Sequence, residues 1–271
     1  MKKLVYIFLI VLVMCLSGCG VKKDGTNQNE TKQEIQYTVN FVEPESTKKQ
    51  DENANKTYEI ELDGKKHTLQ YSTTKKTLPV LPYIHIYDGE DVAIDVNSET
   101  GEVAIINQYT RQEGDIVLTE DSIKEKADNI ARTYVDIEDF VCEGGVRTYE
   151  NNEPYIYNYV YKKYHEELII TNWIEIEIDK YGNTKLITLY SIWCNETDKG
   201  LEKIDKDTIE KMDESVIKNA IERTKGTADF KVNRREAIEV DGKTRLLYFV
   251  DAYNDEGDYA SFSWFYEVVW E

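Results

Sequence analysis

The chain has 271 residues, with 33 Lys and Arg against 52 Asp and Glu, a formal net charge of −19. A balance this acidic repels nucleic acid and anionic lipid surfaces, so no nucleic-acid partner is expected. It suits a cationic peptide, a basic protein or a divalent metal, although a solvated acidic surface explains any single patch.

Met1-Lys2-Lys3 is a short basic start, and Leu4 to Leu16 then run without a charge before Ser17 and Gly18. This is the layout of a secretory signal. The run falls short of the roughly 18 to 20 apolar residues that a spanning helix needs. Leu16-Ser17-Gly18-Cys19 resembles a lipobox. That resemblance implies cleavage after Gly18 and a diacylglyceryl thioether on Cys19, and two acyl chains anchor stably where one does not. Residues 1–18 are thus expected to be signal peptide, Cys19 the lipidation site, and the outer side of the cell membrane the place of work. Losing Lys2 and Lys3 leaves 31 basic against 52 acidic residues, or −21.

With Cys15 cleaved away and Cys19 lipidated, Cys142 and Cys194 remain. Export permits a disulfide. The strand reading puts the two at opposite edges of a four-stranded meander, three spacings of about 4.8 Å apart, which is beyond disulfide reach. Free thiols are expected.

Residues 19–56 read as a lidless polar stretch rich in Lys, Asn, Glu, Gln and Thr, a largely disordered tether. Ile35, Tyr37, Val39 and Phe41 alternate within it, either a strand joining a sheet edge or a sticky segment of the stalk. Residues 57–118 form an N-terminal β region: a hairpin around Asp63-Gly64, and a second whose turn contains Gly101. Helices are predicted at about 119–138 and 207–224. Ile123, Ala127, Ile130, Ala131 and Tyr134 stripe the first; Ile209, Met212, Val216, Ala220 and Ile221 stripe the second, with Asp207 and Glu210 as a capping box and Gly226 as a stop. Strands follow each helix. Residues 119–203 and 204–271 therefore read as two modules, and an offset of 91 superposes Tyr155-Ile156-Tyr157 on Leu246-Leu247-Tyr248 and Trp173 on Trp264. The expected fold class is α+β: tandem modules of one helix packed on an antiparallel β-meander, with an N-terminal β-hairpin region.

A strand running into a Thr-Gly-Glu turn and a second strand, Val92 to Val103, resembles the PepSY-like modules of secreted bacterial proteins, and Ile176 to Asn183 is a looser version. The resemblance implies a non-catalytic module that binds or restrains peptidases. It implies no site residues.

The chemical candidates are few. His165-Glu166-Glu167-Leu168-Ile169 starts like a zinc-protease motif but has Ile169 where the second histidine belongs. His67 and His85 lack ligand neighbours at useful spacing. Asp251, Asn254, Asp255, Glu256 and Asp258 crowd one turn without EF-hand spacing. Glu175 and Glu177 share a strand face and imitate a glycosidase pair. No nucleophile elbow, phosphate loop, dinucleotide fingerprint or Cys-x-x-Cys pair occurs. The expectation is accordingly no enzyme, no catalytic residues, no cofactor and no metal. It is instead a membrane-anchored lipoprotein binding an envelope protein or peptide, with peptidase inhibition or regulation as one form; the alternative is the solute-binding lipoprotein of a transporter. Tyr155, Tyr157, Tyr159 and Tyr161 alternate along one strand and are expected to face the helix as core, with Trp173 and Trp264 in equivalent buried positions.

Overall fold

Alternation of polar and apolar residues produces strands along most of the chain, in a computed structural model that describes residues 35–44, 47–76, 78–109, 114, 116–189, 200–225, 228–240, 242–253 and 259–270. The strands are β1 (Tyr37–Val42), β2 (Thr47–Lys49), β3 (Thr57–Leu62), β4 (Lys65–Lys76), β5 (Ile84–Asp88), β6 (Val92–Asn97), β7 (Val103–Gln108), β8 (Val141–Glu150), β9 (Glu153–His165), β10 (Leu168–Asp179), β11 (Thr184–Leu189), β12 (Asp229–Val240), β13 (Lys243–Tyr253) and β14 (Tyr259–Trp270). Among the described residues two α-helices interrupt them, α1 (Glu120–Arg132) and α2 (Lys206–Thr224).

Local chemistry sets the element ends. Thr119 caps α1 by accepting from the Ser122 N–H, and Asp205 caps α2 by accepting from the Thr208 N–H at 3.0 Å. The α2 cap thus lies two residues before the Asp207 expected from sequence. α1 stops at Arg132, short of the expected 138, where the Thr133 hydroxyl and N–H both bond the Ile130 carbonyl. Asp63 and Gly64 take φ of 49° and 75° in the β3–β4 turn, the left-handed pair that a two-residue hairpin requires. The turns of the PepSY-like segments close by one device. Asn97 Oδ1 accepts from the Glu99 and Thr100 N–H groups, Asp179 Oδ1 accepts from those of Tyr181 and Asn183, and Gly101 and Gly182 supply positive φ.

The expected tandem modules are corrected by the topology. All fourteen strands belong to one sheet, with the path β1-β14-β13-β12-β10-β11-β7-β6-β5-β4-β2, while β3 adds to β4, and β9 with β8 adds to the other flank of β10. β11 of the expected first module pairs with β7 of the N-terminal region, and β10 pairs in parallel with β12 of the expected second module. The predicted boundaries near 118 and 203 are therefore crossed by main-chain hydrogen bonding. The tether also ends earlier than expected: Tyr37–Val42 pairs with β14 along all six residues, and Thr47–Lys49 pairs with β4.

Two cores lie under the helices. Ile123, Ala127 and Ala131 of α1 pack on Tyr157, Tyr159 and Tyr161 and on Ile174, Ile176 and Ile178, a cluster that continues through Ile94 and Ile106 to Leu69. Ile209, Met212, Val216 and Ala220 of α2 pack on Leu246, Tyr248, Val250, Tyr266 and Val268. A smaller cluster, Val42, Leu78, Ile238 and Leu247, lies apart from both. Tyr157, Tyr159 and Tyr161 face the helix as expected, whereas Tyr155 is half-buried and lies outside that cluster, and the tryptophans are not equivalent. Tyr159 pairs with Ile176, whereas its counterpart Val250 pairs with Trp264, so Trp264 takes the place of Ile176. Trp173 sits in the irregular stretch between Ile170 and Ile174, where the β9–β10 register shifts.

Tyr159 is 4% exposed in the α1 core. Tyr159→Ala should lower stability by about 3 kcal/mol through lost burial and a residual cavity. Urea unfolding measures it, and a change within experimental error would show that the ring is not core.

Candidate functional site

The residues singled out from sequence do not converge. Glu175 and Glu177 project from β10 toward Asn158, whose amide donates to Glu175 at 2.7 Å and to Glu177 at 3.3 Å, and Arg147 pairs with Glu177. The space between the carboxylates, which a glycosidase leaves for its substrate, is occupied by that amide. His165 ends β9, Glu166 turns the chain at φ 51°, and Glu167 approaches Lys206 at 3.4 Å, so this segment is a hairpin turn rather than a metal-binding helix. His85 Nδ1 shares a 2.8 Å hydrogen bond with the Thr74 hydroxyl, and burial lowers its pKa. His67 lies on β4 opposite Ile60. Among the described residues, no three His, Cys, Asp or Glu side chains are placed to hold a metal. Asp251 is buried on β13, while Asn254, Asp255, Glu256 and Asp258 lie outside the described residues, as do Cys19, Cys194 and the signal segment.

Two polar clusters were not anticipated. In the first, α1 meets the tyrosine column: the Tyr161 hydroxyl donates to Asp128 at 2.7 Å, and Lys124 pairs with Asp128 one helical turn away. The Lys124 ammonium lies 5.7 Å and 5.4 Å from the centres of the Tyr159 and Tyr161 rings. Burial pushes Asp128 up, but hydrogen bonds from Lys124 and Tyr161 outweigh it and hold the carboxyl below its ordinary value. Tyr159 is pushed up to about 12, chiefly by burial, and Tyr161 higher still by burial and its bond to Asp128. Burial also raises the neighbouring Cys142 thiol, which is free. The cluster bridges α1 and β9 across the helix–sheet interface. The Lys124–Asp128 spacing of four was its one sequence signal.

The second cluster lies where β10 meets β12. Among the described residues two pairs join these strands, Ile169 with Glu236 and Ile170 with Ala237. Glu236 is 4% exposed, and its carboxylate lies 2.7 Å from Arg234 Nε. The Arg234 guanidinium lies 3.9 Å from the Phe249 ring centre and 5.3 Å from that of Trp173. Burial raises the Glu236 carboxyl, and Arg234, the Trp173 indole and Lys162 oppose that rise. On the α2 side, Arg235 Nε donates to Asp213 at 2.7 Å. The ion pair itself lies within β12, and the rings that flank its guanidinium come from the neighbouring strands, Trp173 from β10 and Phe249 from β13.

What remains available for recognition is the sheet margin. β1 pairs only with β14, and β8 only with β9, among the described residues. Compared with known proteins, the chain matches no family model, no curated protein and no solved structure.

The seam carboxyl makes stability depend on pH. A carboxyl raised in the folded state binds its proton more tightly there than when unfolded. Its contribution is full below the ordinary value of 4.5 and is lost as pH rises from there through the elevated folded value. Glu236→Gln removes that titration, so its stability relative to wild type should improve from pH 4.5 to pH 7.5. Urea midpoints of both proteins at the two pH values provide the check; a difference that does not move with pH would refute it.

Proposed function

We propose that the protein is a lipid-anchored, extracytoplasmic lipoprotein that binds an envelope protein or peptide and carries out no chemistry of its own. Its location rests on the uncharged run from Leu4 to Leu16 and on the lipobox-like Leu16-Ser17-Gly18-Cys19. The binding role is carried by one observation: the candidate catalytic carboxylates are locked to Asn158 and Arg147, while among the described residues sheet edges stand open at β1 and β8. An open edge is a ready template for an added strand. Restraint of a peptidase is the finer form that the PepSY-like segments imply. A solute-binding lipoprotein would close two α/β lobes on its ligand, whereas these strands form one continuous sheet.

Cross-linking in intact cells, followed by identification of the captured partner, tests the binding role. A peptidase or another envelope protein is the expected catch, and a transporter permease would overturn it in favour of solute binding. The anchor is tested separately. Cys19→Ala should shift the protein from the membrane to the soluble fraction or leave it unprocessed, and wild-type membrane retention would exclude lipidation at Cys19.

A further inference from the structure

Open sheet edges differ in how well they are guarded. β2 is only three residues long, Thr-Lys-Lys, and fully exposed. β3 presents Glu59 and Glu61 to solvent. β8 carries exposed Glu143 and Arg147 and is broken by two register shifts. The stretch of β12 before its seam with β10 includes Asp229, Lys231, Arg234 and Arg235. Shortness, charge and bulges are the usual means by which a sheet prevents its margin from recruiting another strand.

β1 has none of these guards. Tyr-Thr-Val-Asn-Phe-Val contains no charge and no proline, and it pairs with β14 from Tyr37↔Trp270 to Val42↔Phe265 without a shift. The strand is also held firmly in place. The Tyr37 hydroxyl donates to the Lys211 carbonyl at 3.0 Å and shares a 2.8 Å bond with the Ser215 hydroxyl, both on α2. Phe41 packs 5.5 Å from Trp264 and 5.4 Å from Tyr266, with the Arg223 guanidinium 3.9 Å above it. Thr38 and Asn40 are exposed. An uncharged edge of six residues, paired without a shift and pinned by these contacts, is preorganised for main-chain pairing, which lowers the ordering cost of binding.

We propose that the outer edge of β1 is the docking site for an extended, basic polypeptide segment, which adds to the sheet as a strand beyond β1. The charge of −21 on the processed chain selects the occupant: it attracts a cationic segment and speeds its arrival, while it repels a second copy of the chain. The proposal rests on the binding role above and names its site and its class of partner.

The test uses the full chain in neutral detergent and three labelled octapeptides: alternating Lys and Val, alternating Glu and Val, and the Lys-Val peptide with a central proline. The Lys-Val peptide should bind and slow amide hydrogen exchange across Tyr37–Val42, and the other two should not. The double variant Thr38→Lys/Asn40→Lys should weaken binding by about tenfold or more, because edge lysines block strand addition, while leaving the melting temperature near wild type. Glu59→Lys, which changes net charge equally at a distant strand, should keep the affinity within about twofold. Equal weakening by both variants would reduce the effect to bulk charge and overturn the site. Protection at Val141–Glu150 instead of β1 would overturn the site while leaving the binding role intact, as would binding by none of the three peptides if cellular cross-linking still captures an envelope protein. A sedimenting dimer abolished by the lysine pair would replace the peptide with a second copy.

Discussion

The fold depends on what β10 does along its twelve residues. Its first part, Leu168 and Ile170, belongs to the core under α2, and its second part, Ile174, Ile176 and Ile178, belongs to the core under α1. The change of allegiance takes place between Ile170 and Ile174, where the pairing with β9 slips. There β10 exchanges β12 for β11 as its neighbour on one flank while keeping β9 on the other. A bulge that bends one strand through a register shift is a known way to let a sheet diverge. Here it lets a single sheet serve two helices facing two cores.

That solution concentrates the connection between the halves in two parallel residue pairs, against eleven for β12–β13. So short a seam gains little from main-chain bonding, and side chains supply the rest. Trp173, Arg234 and Phe249 stack around the buried Glu236, and Arg235 ties β12 to Asp213 on α2. Ionic groups buried this way give little net stability, because desolvation offsets their attraction, and since Arg234 and Glu236 travel together on β12, what ties them to one register is their seat against Trp173 of β10 and Phe249 of β13. At a two-pair seam, register is the property most in need of protection: a one-residue slip would place Ala237 where Glu236 sits and turn a carboxylate toward the α2 core.

The parts read correctly from sequence are those governed by neighbours a few residues apart. Most of the buried face of each helix follows from steps of three and four, although Tyr134 and Ile221 of the expected stripes are exposed; the Asp63-Gly64 hairpin follows from its turn residues, and the burial of Tyr157, Tyr159 and Tyr161 from alternation. Apart from the local misplacement of the α2 cap and of the end of α1, errors began where long-range pairing decides. Nothing local in Ile169-Ile170 or Glu236-Ala237 signals that they pair, and parallel pairing across a crossover leaves no turn to recognise. The apparent repeat was misleading for the same reason: Trp173 and Trp264 align in sequence, yet one lies in a bulge and the other in a regular ladder. Glu236 was equally hidden, since Arg-Arg-Glu-Ala-Ile reads as a half-wet strand and only the tertiary stack buries it. The candidate carboxylates of β10 were legible as a same-face pair, but not the Asn158 that fills the gap between them.

β1 links these features to the function proposed. Among the described residues it is the last strand on its side of the sheet, it covers the margin of the α2 core through Tyr37, Val39 and Phe41, and in the proposed lipoprotein it is the first of these strands after the anchoring Cys19. A partner strand hydrogen-bonded to that edge would therefore be connected to the anchor through β1 itself. Tension between partner and membrane would run along one strand rather than across the helix–sheet cores or the narrow β10–β12 seam. The six pairs to β14, the Tyr37 bonds to α2 and the Phe41 stack resist detachment together, because a strand loaded along its axis must break its ladder bonds in parallel rather than one by one. On that reasoning the uncharged edge and the firm pinning of the same six residues are one arrangement: the strand proposed to recruit a partner would also be the strand that transmits its load.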